Sequence, residues 1–266
     1  DQLASETWMT RVAQAVAKIH SGEIEKVVMA RDLTATAASA IDERSALQKL
    51  SALYPSTWIF SVAGLIGATP ELLLRLKRGM VTSRVLAGTI SKSGDDERDL
   101  ALAGSLARSS KDLEEHEYAV RSVADALDPF CTSTNVPESP FVLHLANVMH
   151  LATDVTGALI ESKKSVDAFT ILEKLHPSAA VCGTPTEIAA KLIKDIEGMP
   201  RGRYAGPVGW LDARGDGELG IALRCGQITE NELRIFAGCG IVAGSNPEKE
   251  LTESNAKFAP MRSALS

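Results

Sequence analysis

Hydrophobic and polar positions follow a helical period at the start of the chain. Four apolar residues lie three or four positions apart, as on one face of an α-helix: Trp8, Val12, Val16 and Ile19. Ser5 is a suitable N-cap, because a short hydroxyl side chain accepts from free helix amides, and Gly22 is a suitable stop. The pattern therefore predicts an amphipathic helix between these two residues.

The rest of the chain falls into groups of strands separated by helices. Helical spacing predicts further helices at 41–53, 110–127, 166–175, 186–197 and 247–263. Apolar or alternating runs bounded by turns predict strands at 26–31, 57–63, 71–76, 80–86, 141–147, 150–159, 204–212, 218–227 and 232–238. The charged stretch 91–109 has no predicted element. This grouping is typical of an α+β fold, and no linker composition interrupts it, so a single domain over residues 1–266 is predicted.

Composition and charge narrow the functional classes. The 266 residues are 45% hydrophobic and 23% charged, as in folded globular chains, and the net charge is −6. An acidic chain without a basic tract argues against nucleic acid or an anionic membrane as a partner. There is no long apolar run, the polar N-terminus does not fit a secretory signal, and the four cysteines form no CxxC pair. We therefore expect a cytoplasmic protein with reduced thiols, and a first residue other than Met indicates a trimmed, processed or excised chain.

The predicted last helix carries three charged residues on one face, because Glu250, Glu253 and Lys257 lie at i, i+3 and i+7. The strand before it ends in a segment that contains Gly238 and Gly240, where backbone amides can approach an anion closely. Such a segment and helix could bind a carboxylate chelated by a metal ion. A tight turn followed by a solvated charged face is the alternative.

A second acidic cluster spans residues 111–117. Lys111 and Glu115 are spaced for an i, i+4 ion pair, which by itself indicates only a stabilised surface helix. However, Mg²⁺ is commonly held by one or two carboxylates together with waters and substrate oxygens. Glu115 from one helix and Glu253 from another would supply such a pair.

Four ionisable residues interrupt apolar segments. A lysine directed into a pocket, as Lys26 could be, would have its pKa depressed by desolvation and could act as a general base. Burial would raise the pKa of Glu71 and suit it to act as a general acid. Arg224 could pair with a carboxylate, and His150 heads an apolar strand. The alternatives are an outward-facing strand residue for Lys26 and for Glu71, a structural ion pair for Arg224 and a buried core histidine for His150.

Taken in order along the chain, these segments resemble the chorismate-utilising enzymes, which include isochorismate, salicylate, anthranilate and aminodeoxychorismate synthases. The resemblance covers nearly the whole chain. The matching segments are Lys-Val-Val-Met-Ala-Arg (26–31), Gly-Ala-Thr-Pro-Glu-Leu-Leu (67–73), Leu-Ala-Gly-Thr (86–89), Ser-Lys-Asp-Leu-Glu-Glu-His (110–116), His-Leu-Ala-Thr (150–153), His-Pro-Ser-Ala-Ala-Val-Cys-Gly-Thr-Pro (176–185), Arg-Gly-Arg-Tyr-Ala-Gly-Pro-Val-Gly-Trp (201–210), Ala-Leu-Arg (222–224), Ala-Gly-Cys-Gly-Ile-Val (237–242) and Glu-Leu-Thr-Glu-Ser-Asn-Ala-Lys (250–257).

The resemblance implies two facing antiparallel β-sheets flanked by helices, with chorismate as the substrate and Mg²⁺ as the cofactor. It implies that Lys26 deprotonates a water that attacks C2 of chorismate, that Glu71 protonates the departing C4 hydroxyl, and that His150 lies beside the ring. The implied magnesium ligands are Glu115, Glu250 and Glu253. The implied substrate contacts are Gly88, Thr89, Tyr204, Arg224, Gly238, Gly240 and Lys257.

Two positions indicate the branch of the family. Anthranilate synthases typically carry glutamine at the position of Lys26, and aminodeoxychorismate synthases often carry lysine at that of Ala87. Lysine at position 26 together with alanine at position 87 therefore resembles the pattern of isochorismate synthases. The product of these enzymes feeds quinone (menaquinone) or catechol siderophore synthesis. A salicylate synthase, which continues to salicylate and pyruvate, and a non-catalytic truncated chorismate-binding fragment are the alternatives. We expect a monomer.

The chain also departs from the family pattern. Members usually carry an additional N-terminal portion that completes the two-sheet sandwich, so we expect either that this part is missing or that the core closes differently. Cys239 stands where alanine is common, and Ser254 replaces the usual threonine of the last motif. Neither change removes a predicted catalytic group.

Overall fold

The computed structural model describes residues 2–160 and 167–265, and these residues form seven α-helices and thirteen strands. The helices are α1 (Gln2–His20), α2 (Glu43–Leu53), α3 (Asp96–Leu106), α4 (Ser110–Leu127), α5 (Ala168–Leu175), α6 (Thr186–Ile196) and α7 (Pro247–Leu265), with a short 3-10 helix at Asp128–Phe130. The strands are β1 (Lys26–Thr36), β2 (Trp58–Val62), β3 (Leu65–Thr69), β4 (Leu72–Lys77), β5 (Met80–Ser91), β6 (Cys131–Asn135), β7 (Phe141–His144), β8 (Val148–Leu159), β9 (Gly183–Thr184), β10 (Pro207–Leu211), β11 (Gly217–Ile221), β12 (Cys225–Thr229) and β13 (Glu232–Ile241).

The strands form two antiparallel sheets. The first has the order β2-β3-β12-β13-β1-β9, and the second has the order β10-β11-β4-β5-β8-β6, with β7 also paired to β8. In the first sheet β1 and β13 pair along their length, from Val27 opposite Ile241 to Thr36 opposite Glu232. This register brings the start of β1, with Lys26, beside the glycine-containing end of β13.

Apolar side chains from both sheets meet in one core. Ala30 and Phe236 of the first sheet share it with Leu73, Val85 and Val155 of the second. Helix α4 packs on β5 and β8, and α7 packs on β13 and contacts α1 and α2. Removal of this apolar surface from water is the main force that holds the layers together. The predicted α+β fold with two facing antiparallel sheets and flanking helices is therefore confirmed.

The predicted single strand 218–227 is wrong. The chain forms β11 in the second sheet, turns at residues 222–224 and enters the first sheet as β12. Arg224 lies in this turn with φ +47°, a left-handed conformation that is uncommon for a residue other than glycine. Both halves of the run are largely buried, so their apolar pattern gave no sign that the chain changes sheets.

The charged stretch 91–109 contains a helix that was not predicted. α3 begins after Asp95, whose carboxylate accepts from the backbone amide of Arg98 at 2.8 Å. The acidic residues of its first turn also favour a helix N-terminus. Its buried apolar residues are Ala103 and Leu106, too few to produce a visible helical period.

Strands β3 and β6 were also not predicted. β3 is buried at every position, so it has no alternation of polar and apolar residues. β6 is polar, with the sequence Cys-Thr-Ser-Thr-Asn, and pairs at the edge of the second sheet. β1 and β5 each run five residues beyond their predicted ends at 31 and 86.

Three helix starts differ from the predictions, and that of α2 lies at Glu43 rather than at residue 41. Ser5 lies inside α1, which is already helical at Gln2, so Ser5 is not its N-cap. α5 begins after Asp167, which accepts from two backbone amides of the first turn, and Val166, the predicted start, lies outside the described residues. Within the described ranges, no helix has the length and apolar composition needed to cross a bilayer.

Candidate active site

Residues from both sheets and from α4 and α7 line a narrow internal cavity. Its volume is about 40 Å³, well below the about 300–1,000 Å³ that is usual for small-molecule sites. A ring-sized ligand therefore enters only if lining side chains move. The predicted site residues that line the cavity are Glu71, Thr89, Glu115, His150, Tyr204, Arg224, Gly238, Gly240 and Lys257.

A wider cleft of about 600 Å³ adjoins this cavity, and Thr89 lines both. Helix α7 contributes Glu250 and Glu253 to the cleft, and α4 contributes Lys111 and Asp112. The two carboxylates of the predicted last helix therefore line a cleft that shares Thr89 with the cavity. The solvated charged face that was the alternative for these residues is wrong, since Glu250 is only 1% exposed.

Three lysines lie beside three carboxylates in one cluster, in which Glu115 and Glu250 are buried and Glu253 is half-buried. The pairs, by the distance from Nζ to Oε1, are Lys26 with Glu115 (3.8 Å), Lys111 with Glu250 (2.8 Å) and Lys257 with Glu253 (2.6 Å). A buried charge without a partner is strongly destabilising, so each of these acids depends on its lysine. Two of the pairs join different elements, β1 with α4 and α4 with α7, so only the packed fold assembles the cluster.

Lys26 is completely buried at the start of β1. Its Nζ donates to the backbone carbonyl of Glu115 at 3.1 Å, and Glu115 lines the cavity. Burial lowers the pKa of Lys26, and the attraction of the Glu115 and Glu71 carboxylates only partly opposes this effect. The ammonium therefore loses its proton more readily than in water, which is the property that a general base requires.

Glu71 lies just before β4 and is 4% exposed. Burial raises its pKa to about 7, although the charges of Arg224 and Lys26 favour the ionised form. A carboxyl group with this pKa is protonated in a substantial fraction of molecules at neutral pH. It can therefore donate a proton, as a general acid must.

His150 connects Arg224 to Thr89. Its Nε2 lies 2.8 Å from Nη2 of Arg224, and its Nδ1 lies 3.1 Å from Oγ1 of Thr89 and 3.3 Å from the carbonyl oxygen of Gly88. Gly88 has φ +75° at a break in the β5–β8 register, where glycine allows a bulge. Although burial raises the pKa of Glu253, the charge of Lys257 and, less strongly, the Thr89 hydroxyl lower it, so Thr89 links this group of residues to the acid cluster.

Gly238 and Gly240 allow side chains from other elements to approach β13. A Cβ atom at Gly240 would collide with the carboxylate of Glu115, and one at Gly238 would lie 2.8 Å from Oη of Tyr204. Nζ of Lys257 donates to the carbonyl oxygen of Gly238 at 2.9 Å. Both glycines lie within a strand, so the tight turn that was their alternative explanation is wrong.

Glu250 has a carboxylate oxygen suited to a cation. Its Oε1 accepts from Lys111, whereas its buried Oε2 has no hydrogen-bond partner among the described residues. Burial and the charge of Glu253 raise the pKa of Glu250 to about 7. An unpartnered buried oxygen beside further carboxylates fits Mg²⁺, which prefers oxygen ligands.

The predicted metal ligands are only partly grouped. In the part of the chain that the structure describes, one set of three potential ligand atoms lies within 4.8 Å of one another, and it belongs to Cys239, Glu250 and Glu253. Glu115 does not complete such a set, although its charge raises the pKa of Glu250. Glu115 therefore acts electrostatically on the acid pair, whereas its ion pair is with Lys26.

Sequence reasoning missed two basic residues of the site. Lys111 was interpreted as part of a surface ion pair within its own helix, but it contacts Glu250 of α7. Arg201 lines the cavity, contacts Glu197 through two nitrogens at 2.8 and 2.6 Å, and donates to the backbone carbonyl of Val28. An acid at position 197, four residues before an arginine in a recognised motif, was the available signal.

Comparison with known proteins places the chain in a family. The profile of the family described as chorismate binding enzyme matches residues 1–266. The isochorismate synthase DhbC of Bacillus subtilis is 38% identical over 98% of this chain and 68% of its own length. The structure of DhbC from Bacillus anthracis superposes with a TM-score of 0.93, with 39% identity over 98% of this chain and 72% of that one.

A further solved structure, that of the menaquinone-specific isochorismate synthase MenF from Escherichia coli, superposes with a TM-score of 0.88 and 30% identity. The match covers 98% of this chain and 61% of MenF. The chain therefore spans roughly three fifths to seven tenths of the length of these three relatives. On the family profile and on these identities, the chain belongs to the family of chorismate binding enzymes.

Proposed function

We propose that this chain carries the catalytic machinery of an isochorismate synthase, which converts chorismate to isochorismate. The relatives described above support this reaction, since they are named isochorismate synthases. The single observation that carries the proposal is the electrostatic coupling of two buried groups, Glu71 in the cavity wall and Lys26, which contacts the cavity residue Glu115. Burial lowers the pKa of the lysine and raises that of the carboxyl, so each group tends toward its neutral form, one ready to accept a proton and the other to donate it.

In the proposed reaction Nζ of Lys26 takes a proton from a water molecule as the water oxygen attacks C2 of the ring. The carboxyl of Glu71 gives its proton to the C4 hydroxyl, which leaves as water while the two ring double bonds shift toward C4. One water enters and one leaves, so the reaction is an isomerisation. Each of the two proton transfers is expected to contribute about 10²–10⁴-fold to the rate.

Arg224, Lys257 and Tyr204 are the proposed contacts for the substrate carboxylates. Arg224 and Lys257 are cations at the cavity wall that now bind His150 and Glu253. Burial raises the pKa of Tyr204, so its hydroxyl keeps the proton that it would donate. Since the cavity is narrow, we expect these side chains to turn toward the substrate when it enters.

Glu250 and Glu253, with Glu115 nearby, are the proposed ligands for Mg²⁺. The unpartnered Oε2 of Glu250 supports this assignment. When bound, the ion would neutralise the ring carboxylate of the substrate. The net charge of −6 supports a small-molecule substrate rather than a nucleic acid or an anionic membrane surface as the partner, and a cytoplasmic monomer stays part of the proposal.

The test is a product assay with the purified chain, chorismate and Mg²⁺ in the absence of ammonia, resolved by liquid chromatography. Isochorismate as the only product would support the proposal, provided that Lys26→Ala forms none. Salicylate with an equal amount of pyruvate would favour a salicylate synthase instead. Bound chorismate without any product would refute the proposal for this chain and favour a non-catalytic fragment.

A further inference from the structure

Cys239 lies between the two glycines of β13, at the boundary between an apolar cluster and the acid cluster. It is 1% exposed, and its strand neighbour across the sheet is Met29. Its Sγ lies 3.4 Å from the backbone carbonyl oxygen of Glu250. The thiol therefore lies against the first turns of α7, which carry the two carboxylates of the cleft, Glu250 and Glu253.

The thiol and these two carboxylates form a compact set of potential ligands. Sγ of Cys239 and one oxygen from each of Glu250 and Glu253 all lie within 4.8 Å of one another. A zinc ion with Zn–S near 2.3 Å and Zn–O near 2.1 Å places its ligand atoms roughly 3.5 Å apart in a tetrahedron. A contraction of at most roughly 1.3 Å would therefore bring all three atoms into contact with one ion.

An independent observation indicates that a ligand is expected at this place. Oε2 of Glu250 is buried without a hydrogen-bond partner among the described residues. The lysines leave this oxygen free, because Lys111 occupies Oε1 of Glu250 and Lys257 occupies Oε1 of Glu253. A buried carboxylate oxygen without a donor is costly unless a cation or a donor meets it.

We propose that Cys239, Glu250 and Glu253 bind a thiophilic divalent cation of the Zn²⁺ class, with solvent as the fourth ligand. A sulfur ligand favours Zn²⁺ over Mg²⁺, because Mg²⁺ prefers oxygen and the general affinity order also places Zn²⁺ well above the alkaline-earth ions. Cys239 thus gives this chain a metal preference that its carboxylates alone would not have.

Binding of the ion releases one proton and changes no oxidation state. The S–H proton of Cys239 passes to solvent as the sulfur–metal bond forms, and no oxidation or reduction occurs. Two carboxylates and one thiolate carry three negative charges, and Lys111, Lys257 and the divalent ion carry four positive charges. The ion therefore needs no further acidic ligand.

The same carboxylates are the proposed ligands of Mg²⁺, so the two ions compete. The consequence, inhibition of turnover by Zn²⁺, rests on the proposed function, whereas the binding of the ion does not. A direct binding signal therefore tests the site even if the chain proves inactive.

The experiment is a titration of the whole chain with Co²⁺, which reports thiolate coordination through a sulfur-to-metal charge-transfer absorption. A phosphine reductant keeps all four cysteines reduced without supplying a thiol. The wild-type chain is expected to develop this absorption, and Zn²⁺ is expected to abolish it by displacement. Cys131→Ala, which removes a buried cysteine from the other sheet, is the matched control and is expected to behave as the wild type.

Cys239→Ala is expected to lose the charge-transfer absorption and to raise the Kd for Zn²⁺ by more than about tenfold, since loss of even an outer-shell partner costs about 10–100-fold. Glu250→Gln keeps the thiol and is also expected to weaken Co²⁺ binding. This second variant tests the site if Cys239→Ala does not fold. Wild-type chain without the absorption, or an equal absorption in Cys239→Ala, would overturn the proposal. If the wild-type chain shows the charge-transfer absorption but makes no isochorismate, the metal site is supported and only the proposed function is refuted.

Discussion

Nη2 of Arg224 lies 2.8 Å from Nε2 of His150. A guanidinium group only donates hydrogen bonds, so Nε2 accepts and carries no proton. The other ring nitrogen, Nδ1, lies 3.3 Å from the carbonyl oxygen of Gly88, which only accepts. Both contacts therefore assign His150 as the neutral tautomer with its proton on Nδ1.

The first prediction is that His150 stays neutral between about pH 5 and pH 8. Burial lowers its pKa well below the usual value, and the positive charge of Arg224 adds to the effect. Nitrogen-15 NMR of labelled histidine should show one ring with the Nδ1–H pattern throughout this range. A doubly protonated His150 ring at pH 6 would contradict the assignment and restore the imidazolium as a candidate proton donor.

The second prediction concerns Lys26. Replacing it with alanine should lower kcat by about 10²–10⁴-fold, because the proposed base is lost, while chorismate still binds. Single-turnover product analysis and a separate binding titration would distinguish the two effects. Lys18→Ala, which removes an exposed lysine of α1 paired with Glu23, is the control. Turnover in Lys26→Ala equal to that of the control would exclude Lys26 as the base.

The third prediction is the alkaline limb of the pH profile. Glu71 acts in its protonated form and its pKa is raised to about 7, so kcat/KM should fall as the pH rises through about 7. Lys26 acts in its neutral form, and because burial lowers its pKa, its acidic limb should lie below the usual lysine range. Glu71→Gln should be slow and should lack the alkaline limb. An unchanged limb in this variant would assign it to another group.

The fourth prediction tests the close approach of Glu115 to β13. A Cβ atom at Gly240 would occupy the place of the Glu115 carboxylate. Gly240→Ala should therefore displace this acid and weaken Mg²⁺ binding by about 10–100-fold without removing a ligand atom. Calorimetric Mg²⁺ titration measures the effect, with Glu253→Gln as the comparison that removes a proposed ligand.

Gly104→Ala is the control for this substitution, because its Cβ in α3 would meet only the flexible side chain of Arg108. We expect this variant to bind Mg²⁺ as the wild type does. Equal Mg²⁺ affinity in Gly240→Ala and Gly104→Ala would mean that the position of Glu115 is unimportant for the ion.

The fifth prediction concerns stability. Glu197 is 1% exposed, pairs with Arg201 and accepts from the backbone amide of Ala30 at 2.8 Å. Glu197→Ala should lower the free energy of unfolding by about 3–5 kcal/mol, because it leaves the half-buried Arg201 charge with backbone carbonyls as partners but without its carboxylate. Urea denaturation measures the change. Arg44→Ala, which breaks an exposed pair with Asp42, should leave the midpoint unchanged, and equal effects of the two variants would contradict the prediction.

Local patterns in the sequence were sufficient for most elements, and the motifs singled out many of the residues that the structure gathers at one cavity. Helices such as α4 and α7 and the strand that begins at Lys26 follow from the spacing of their apolar residues. Apolar neighbours indicated that Lys26 and Glu71 would have opposite pKa shifts if they were buried, since burial disfavours the charged form of either group, and the structure supplied the burial. The ordered motifs indicated the family and its two-sheet fold.

Tertiary structure decided which charged groups meet. The partner of Lys111 is Glu250, 139 positions away, and the sulfur of Cys239 reaches the carboxylates of α7 only because β13 packs against that helix. The change of sheet at Arg224 was equally hidden, because both flanking strands are buried and look alike in sequence. Spacing along a chain reports neighbours within one element, whereas ion pairs, ligand sets and tautomers depend on distances across elements that only the packed core determines.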